Sequence, residues 1–289
     1  MIEKIGIIGA GAMGSSIAEV FAFNGYSVYL KDQNMEYVNR GISHVRKVLE
    51  DYQSYMDSMP DKEIKRIERN GIKLTETQKN SIKKNLGKQL DIDGIISNIH
   101  PVESYKELSQ CGLVIEAVFE KQEIKNDLFR ELSGYFCENT ILASNTSSLS
   151  ITEMAANYKY PENNIIIHFF NPPYTMPLVE IVPALQTGSK TVETAYSLIS
   201  GLRNHRDTMV PVKAKFKWAH WKTCSFLHSY INRFFICYAF LNYFYCLPYE
   251  QNNVTLGEFE AYVCPNCGRV FYTDKGYEEI NKFSMKKKN

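Results

Sequence analysis

The sequence has no long hydrophobic run, no excess of one charge, no internal repeat and no framework of paired cysteines. Its most apolar stretch, Phe234 to Leu247, covers 14 residues and contains Asn242. Spanning a bilayer takes about 20 apolar residues. A buried helix is therefore expected there, and no membrane partner. Lys and Arg number 33 against 32 Asp and Glu, a net charge of +1. That balance gives no reason to expect nucleic acid as a partner. Met1 leads straight into an apolar segment, with neither a basic leader nor an Arg-rich amphipathic presequence. The expectation is a cytoplasmic protein.

Seven cysteines is an odd number, and without a leader it points to reduced thiols. Only Cys264 and Cys267 form a spaced pair. Cys264-Pro265-Asn266-Cys267-Gly268 is half of a zinc knuckle, whereas a closed structural site takes four ligands. Nothing after Cys267 supplies the rest, and Cys224, Cys237 and Cys246 lack knuckle spacing. No metal site is assigned.

What the sequence does contain is alternation. Ile5-Gly6-Ile7-Ile8 is a short apolar strand, and Ile17, Val20 and Phe21 then recur at helical spacing. Tyr26 to Leu30 is a second strand, ending at Asp32. From Met35 to about Lys88 the pattern is helical, polar and charged, with Gly71 as a break. Strands follow at Gly112–Ile115, Thr140–Ala143, Asn164–Ile167 and Leu178–Val182. Helices are expected at Lys121–Ser133, Ile151–Ala156 and Thr191–Leu202. Such alternation means βαβ units and an α/β fold: a Rossmann-type, doubly wound, mainly parallel sheet with a helical excursion after the second strand.

Between the first strand and its helix lies Gly9-Ala10-Gly11-Ala12-Met13-Gly14. The context gives this glycine motif its meaning, because an acidic residue ends the next strand 18 positions after Gly14. Gly9 permits the turn, Gly11 lets backbone approach a pyrophosphate, and Gly14 lets helix and strand pack closely. Asp32 would accept from ribose hydroxyls and repel a 2′-phosphate, so NAD is expected over NADP. The motif alone leaves FAD open.

Three further segments carry chemistry. Ser144-Asn145-Thr146-Ser147-Ser148 follows a strand directly, at the end where open α/β sheets bind ligands. His168 closes the run Ile165-Ile166-Ile167 and opens His168-Phe169-Phe170-Asn171-Pro172-Pro173. Glu180 lies 12 residues later inside an apolar strand. A histidine at a strand end is by default structural, and a lone glutamate on a strand a chance polar residue. Together they allow alcohol oxidation: a base with the pKa of histidine takes the hydroxyl proton, and a carboxylate orients it.

With these stretches the sequence resembles the L-3-hydroxyacyl-CoA and 3-hydroxybutyryl-CoA dehydrogenases over about residues 2–213. The most specific segments are Ala143 to Leu149 and His168 to Pro172, with Leu178-Val179-Glu180 at the family's spacing. The resemblance implies that His168 is the base, paired with Glu180, and that Ser147 bonds the substrate's 3-oxygen close to the nicotinamide. It places Glu120, Lys125 and Asn171 at the cofactor as well, and it assigns contacts with coenzyme A to the lysine-rich excursion. The implied reaction converts (S)-3-hydroxyacyl-CoA and NAD to 3-oxoacyl-CoA and NADH. It also implies a homodimer, an expectation that the C-terminal departure weakens.

Family members continue into a helical domain opened by a Lys-Asp-x-Pro-Gly-Phe-Ile-x-Asn-Arg type segment. Here Val210 to Lys215 approach it correctly, but Phe216-Lys217-Trp218-Ala219-His220-Trp221 follows, without Pro-Gly-Phe. Asn232-Arg233 lies 17 residues past Lys215, too far to stand in for the family's pair. A frameshift is one explanation: Trp has a single codon, and Lys217 to Lys222 read one nucleotide later gives a Gly-x-(Ile/Thr)-Gly pattern closer to the family's. The chain therefore divides into residues 1–212, the NAD-binding and catalytic Rossmann domain, residues 213–253, an aromatic-rich segment where the helical domain should stand, and residues 254–289, a polar tail. A short helical remainder is expected after the sheet. Two rival readings stand beside the dehydrogenase: a binding remnant of the family that no longer turns over, and a dehydrogenase of another 3-hydroxy acid.

Overall fold

The apolar runs form a single sheet because each is buried on both faces. In β1 (Lys4–Ile8), Ile5 and Ile7 enter one hydrophobic cluster while Ile8 enters another on the opposite face. The same alternation divides Leu113 and Ile115 from Val114 in β4 (Leu113–Glu116), and Ile165 and Ile167 from Ile166 in β6 (Asn164–Phe169). A strand covered on both sides reads as a continuous apolar run, which is the pattern of a parallel sheet between helices. This computed structural model describes residues 2–87 and 89–214, together with the backbone of strands at 244–251, 254–263 and 270–272.

The main sheet has eight strands in the order β3-β2-β1-β4-β5-β6-β7-β8. The remaining strands are β2 (Ser27–Lys31), β3 (Ile99–Pro101), β5 (Ile141–Ser144), β7 (Leu178–Pro183) and β8 (Val210–Lys213). Neighbours pair in parallel except β6 with β7. The order from β3 to β6 is that of a doubly wound dinucleotide-binding sheet, whose switch point lies between β1 and β4. Helices α1 (Ala12–Phe23), α2 (Met35–Arg69) and α7 (Ser189–Ser200) bury residues in the first cluster, whereas α5 (Gln122–Leu132) and α6 (Ile151–Ala155) bury theirs in the second.

The helical excursion forms as the sequence pattern predicts. Asn34 caps α2, its side chain accepting from the Tyr37 N–H at 3.0 Å. Val38, Val45 and Leu49 recur along one side of the helix and are fully buried. Gly71, at φ +82°, follows the end of α2. A Thr75–Gln78 capping box then starts α3 (Glu76–Leu86). That helix buries no residue, and Lys79 ties it back to Glu68 of α2 at 2.9 Å. The short helix α4 (Ile92–Ser97) returns the chain to β3.

The C-terminal expectation is corrected. Among the described residues beyond 214, β9 (Phe244–Gln251), β10 (Val254–Val263) and β11 (Val270–Tyr272) form an antiparallel sheet, not helix. Phe244 to Leu247, read as the end of a buried helix, belong to β9. Aromatic and β-branched residues such as Phe244, Tyr245, Val254 and Tyr272 favour the pleated conformation. The readings of 216–243, of Asn232-Arg233 and of the Cys264–Cys267 pair fall outside the described residues.

Candidate active site

Two ends of one crevice hold the candidate residues. At the first, β1 runs into Gly9, whose φ of +101° is one that L side chains rarely adopt. A Cβ there would also stand 2.7 Å from the Ala117 carbonyl oxygen. A Cβ on Gly14 would stand 1.7 Å from the Gly9 carbonyl oxygen, so helix α1 can pack on the turn only with glycine. Gly11, by contrast, faces open space and precedes α1 with no side-chain cap. The N–H groups of the first turn thus stay available, and no acidic side chain occupies that turn. Uncapped N–H groups and the positive end of a helix suit a pyrophosphate.

Asp32 follows β2 and lies against this turn. Its Oδ2 accepts from the Ala10 N–H at 2.6 Å and its Oδ1 from the Gln33 N–H at 2.6 Å. Each carboxylate oxygen retains a second lone pair, so the residue can hold the turn and still accept from a ribose hydroxyl. The open Gly11 position, the uncapped helix and the carboxylate together fit a dinucleotide. Sequence reasoning missed Gly41 of α2, where a Cβ would stand 2.8 Å from the Ala10 carbonyl oxygen. The α2 backbone therefore packs directly on the glycine turn. An isolated glycine inside a polar helical pattern was the available signal.

The other end is a cleft of about 400 Å³ that includes Met13, Glu120, Lys125, Ser147, His168 and Asn171 in its lining. Six of the sequence-selected residues thus meet in one space. Glu180 stands behind them. β6 and β7 run antiparallel with His168 directly opposite Glu180, and His168 Nδ1 lies 3.0 Å from Glu180 Oε2. Both side chains are largely buried, at 16% and 9% exposure, so the pair is held away from bulk water. Asn145 ties the β5 end to β6, its Oδ1 accepting from the Phe169 N–H at 2.9 Å. Ser147, exposed on the loop after β5, lines the same cleft.

Behind Lys125 lies a network of which the sequence reading selected only Lys125 and Glu120. Lys125 is buried, and its ammonium bonds the fully buried Glu116 carboxylate at the end of β4. It also lies 3.2 Å from Glu120, which in turn accepts from the Thr146 hydroxyl. Ser144 donates to the other Glu116 oxygen at 3.0 Å. Burial pushes the Glu116 carboxyl above its ordinary value, while the Lys125 ammonium and the Ser144 hydroxyl oppose that rise. An acid inside an apolar strand was the signal here, the same one that drew attention to Glu180.

The strand order, the glycine turn and the carboxylate after β2 define a dinucleotide-binding domain. Comparison with known proteins fixes the family. The NAD-binding domain of 3-hydroxyacyl-CoA dehydrogenase matches residues 4–72 and 58–214, so the chain belongs to that family and its cofactor is NAD. The "Probable 3-hydroxybutyryl-CoA dehydrogenase" of Deinococcus radiodurans is 35% identical over 199 residues, covering 68% of this chain and 61% of the relative. The 3-hydroxybutyryl-CoA dehydrogenase of Clostridioides difficile is 32% identical over 197 residues, covering 68% of this chain and 59% of that one. Among solved structures, (S)-3-hydroxybutyryl-CoA dehydrogenase from Ralstonia eutropha superposes with a TM-score of 0.56 at 30% identity, over 75% of this chain and 65% of that one. The chain thus spans about three-fifths of these curated relatives' length.

Proposed function

We propose that the protein oxidises (S)-3-hydroxyacyl-CoA to 3-oxoacyl-CoA with NAD, in the fatty acid or butanoate metabolism of the cytoplasm. The observation that carries this reading is the His168–Glu180 pair, 3.0 Å apart at the edge of a cleft shared with Ser147, Lys125 and Asn171. NAD, when bound, takes up the hydride that leaves C3 of the substrate. His168 removes the hydroxyl proton in the same step through Nε2, because Nδ1 is engaged by Glu180. Glu180 fixes the ring orientation and compensates the imidazolium that forms. Ser147 hydrogen-bonds the 3-oxygen and holds C3 facing the cofactor. Among the described residues no helix is long and apolar enough to cross a membrane.

A second reading, a cofactor- and acyl-CoA-binding remnant without turnover, is favoured by the C-terminal departure. The family match ends at residue 214, and the described backbone beyond it is β-sheet. A lost lid would leave substrate exposed to water. One experiment separates the two. Both require NADH to bind, detected by its fluorescence, and only the first predicts that acetoacetyl-CoA is reduced. Bound NADH with no turnover would sink the first reading.

A further inference from the structure

We infer that Glu116 is a positioning residue of the cofactor cleft, holding the Lys125 ammonium and the Ser144 hydroxyl and, through them, the loop that carries Ser147. Glu116 ends β4, where its backbone pairs with Ile8 of β1 on one side and Ser144 of β5 on the other. It therefore sits at the switch point of the sheet, between the glycine turn and the Ser147 loop. Its carboxylate is fully buried and accepts on both oxygens, from Lys125 and from Ser144.

Two routes lead from it to the loop. The Ser144 hydroxyl that donates to Glu116 also accepts from the Thr146 N–H at 3.2 Å. Lys125 reaches Glu120, and Glu120 accepts from the Thr146 hydroxyl. That hydroxyl oxygen in turn accepts from the N–H groups of Ser148 at 3.3 Å and Leu149 at 3.0 Å. Thr146 is thus gripped from both sides, and Ser147 lies between the residues so fixed. Without the Glu116 charge, the buried Lys125 keeps one anionic partner, Glu120, whose side chain is 44% exposed, and the neutral Val118 carbonyl at 3.4 Å. A buried cation with a weakened partner is costly, and the network relaxes to rehydrate it.

The role assigned to this loop rests on the function proposed above, but the test does not. Glu116→Gln keeps the side-chain shape and removes its charge. Hydrogen exchange at Ser148 and Leu149 is measured without cofactor, with β7 amides as internal reference, and NADH affinity is measured by fluorescence. The loop amides should exchange about tenfold faster relative to β7, and the NADH dissociation constant should rise about tenfold, the scale of a lost charge-assisted hydrogen bond. General destabilisation would instead speed β7 equally, and that result, or wild-type values in both measurements, overturns the inference. If this variant fails to fold, Glu116→Gln/Lys125→Met removes both charges together, a change buried pairs often tolerate. The same loop acceleration is expected of it, and wild-type exchange at Ser148 and Leu149 again overturns the inference. Failure of the unaltered protein to reduce acetoacetyl-CoA would count against the proposed function and leave the exchange result standing.

Discussion

The 3.0 Å contact between His168 Nδ1 and Glu180, on which the proposed base rests, is set by strand register, not by chain proximity. Replacing His168 with alanine should lower kcat by about 10²- to 10⁴-fold, the usual worth of a general base, and leave NADH affinity unchanged. Stopped turnover with lost NADH binding would mean that the substitution damaged the fold. The cysteines give a second prediction. The Asn139 backbone and the Thr140 hydroxyl hold the exposed Cys137 thiol below its ordinary value, whereas burial pushes Cys111 from 9.0 up to about 12. Iodoacetamide should therefore modify Cys137 in the folded protein and spare Cys111, as peptide mass mapping will show. Because the folded value for Cys111 is the raised one, its share of stability is intact below pH 9.0 and is lost as pH climbs to about 12. The difference in Tm between wild type and Cys111→Ala should narrow across that interval. At this scale the sequence singled out Asp32 and His168 at strand ends and Glu180 inside an apolar strand, and the structure brings His168 and Glu180 into contact, whereas Ser147 came from the family resemblance. Glu116 carried the same signal as Glu180, an acid inside an apolar strand, but its partner Lys125 reaches back from α5, a contact that sequence spacing does not reveal.

At the scale of elements, the long buried strands and capped helices were readable because periodicity and punctuation agreed. The edge strands were not. β3 contributes only Ile99-His100-Pro101, and β8 only Val210-Pro211-Val212-Lys213, each too short to alternate visibly. They become strands because an existing neighbour offers them a parallel ladder. The antiparallel sheet of β9, β10 and β11 escaped for other reasons: the apolar start of β9 was read as the end of a buried helix, and β10 and β11 lie in a stretch whose polar composition was read as a tail. Helix α2 gives the element-scale prediction. Gly41→Ala places a Cβ 2.8 Å from the Ala10 carbonyl, so helix and glycine turn must separate. Overpacking of this kind costs about 1–3 kcal/mol. NADH affinity should fall while the His168–Glu180 pair stays intact, and titration of NADH fluorescence checks it. Undiminished affinity would show that the turn accommodates the added methyl group.

Across the whole molecule, the eight-stranded sheet brings the glycine turn and the His168–Glu180 pair to the carboxyl ends of its strands, and the family relation extends over the same span, to residue 214. Beyond it the chain departs from relatives of which it covers about three-fifths. Asp32, bonded to the glycine turn, predicts a preference at this scale: NADH should bind more tightly than NADPH, because a 2′-phosphate would meet a carboxylate. Equal affinity for the two would remove Asp32 from the ribose site. The absorbance of NADH in the presence of acetoacetyl-CoA and the purified protein tests the proposed chemistry. That chemistry requires steady loss of NADH in wild type and none above background in His168→Ala. Equal rates in the two proteins, or NADH bound and never consumed, would contradict it.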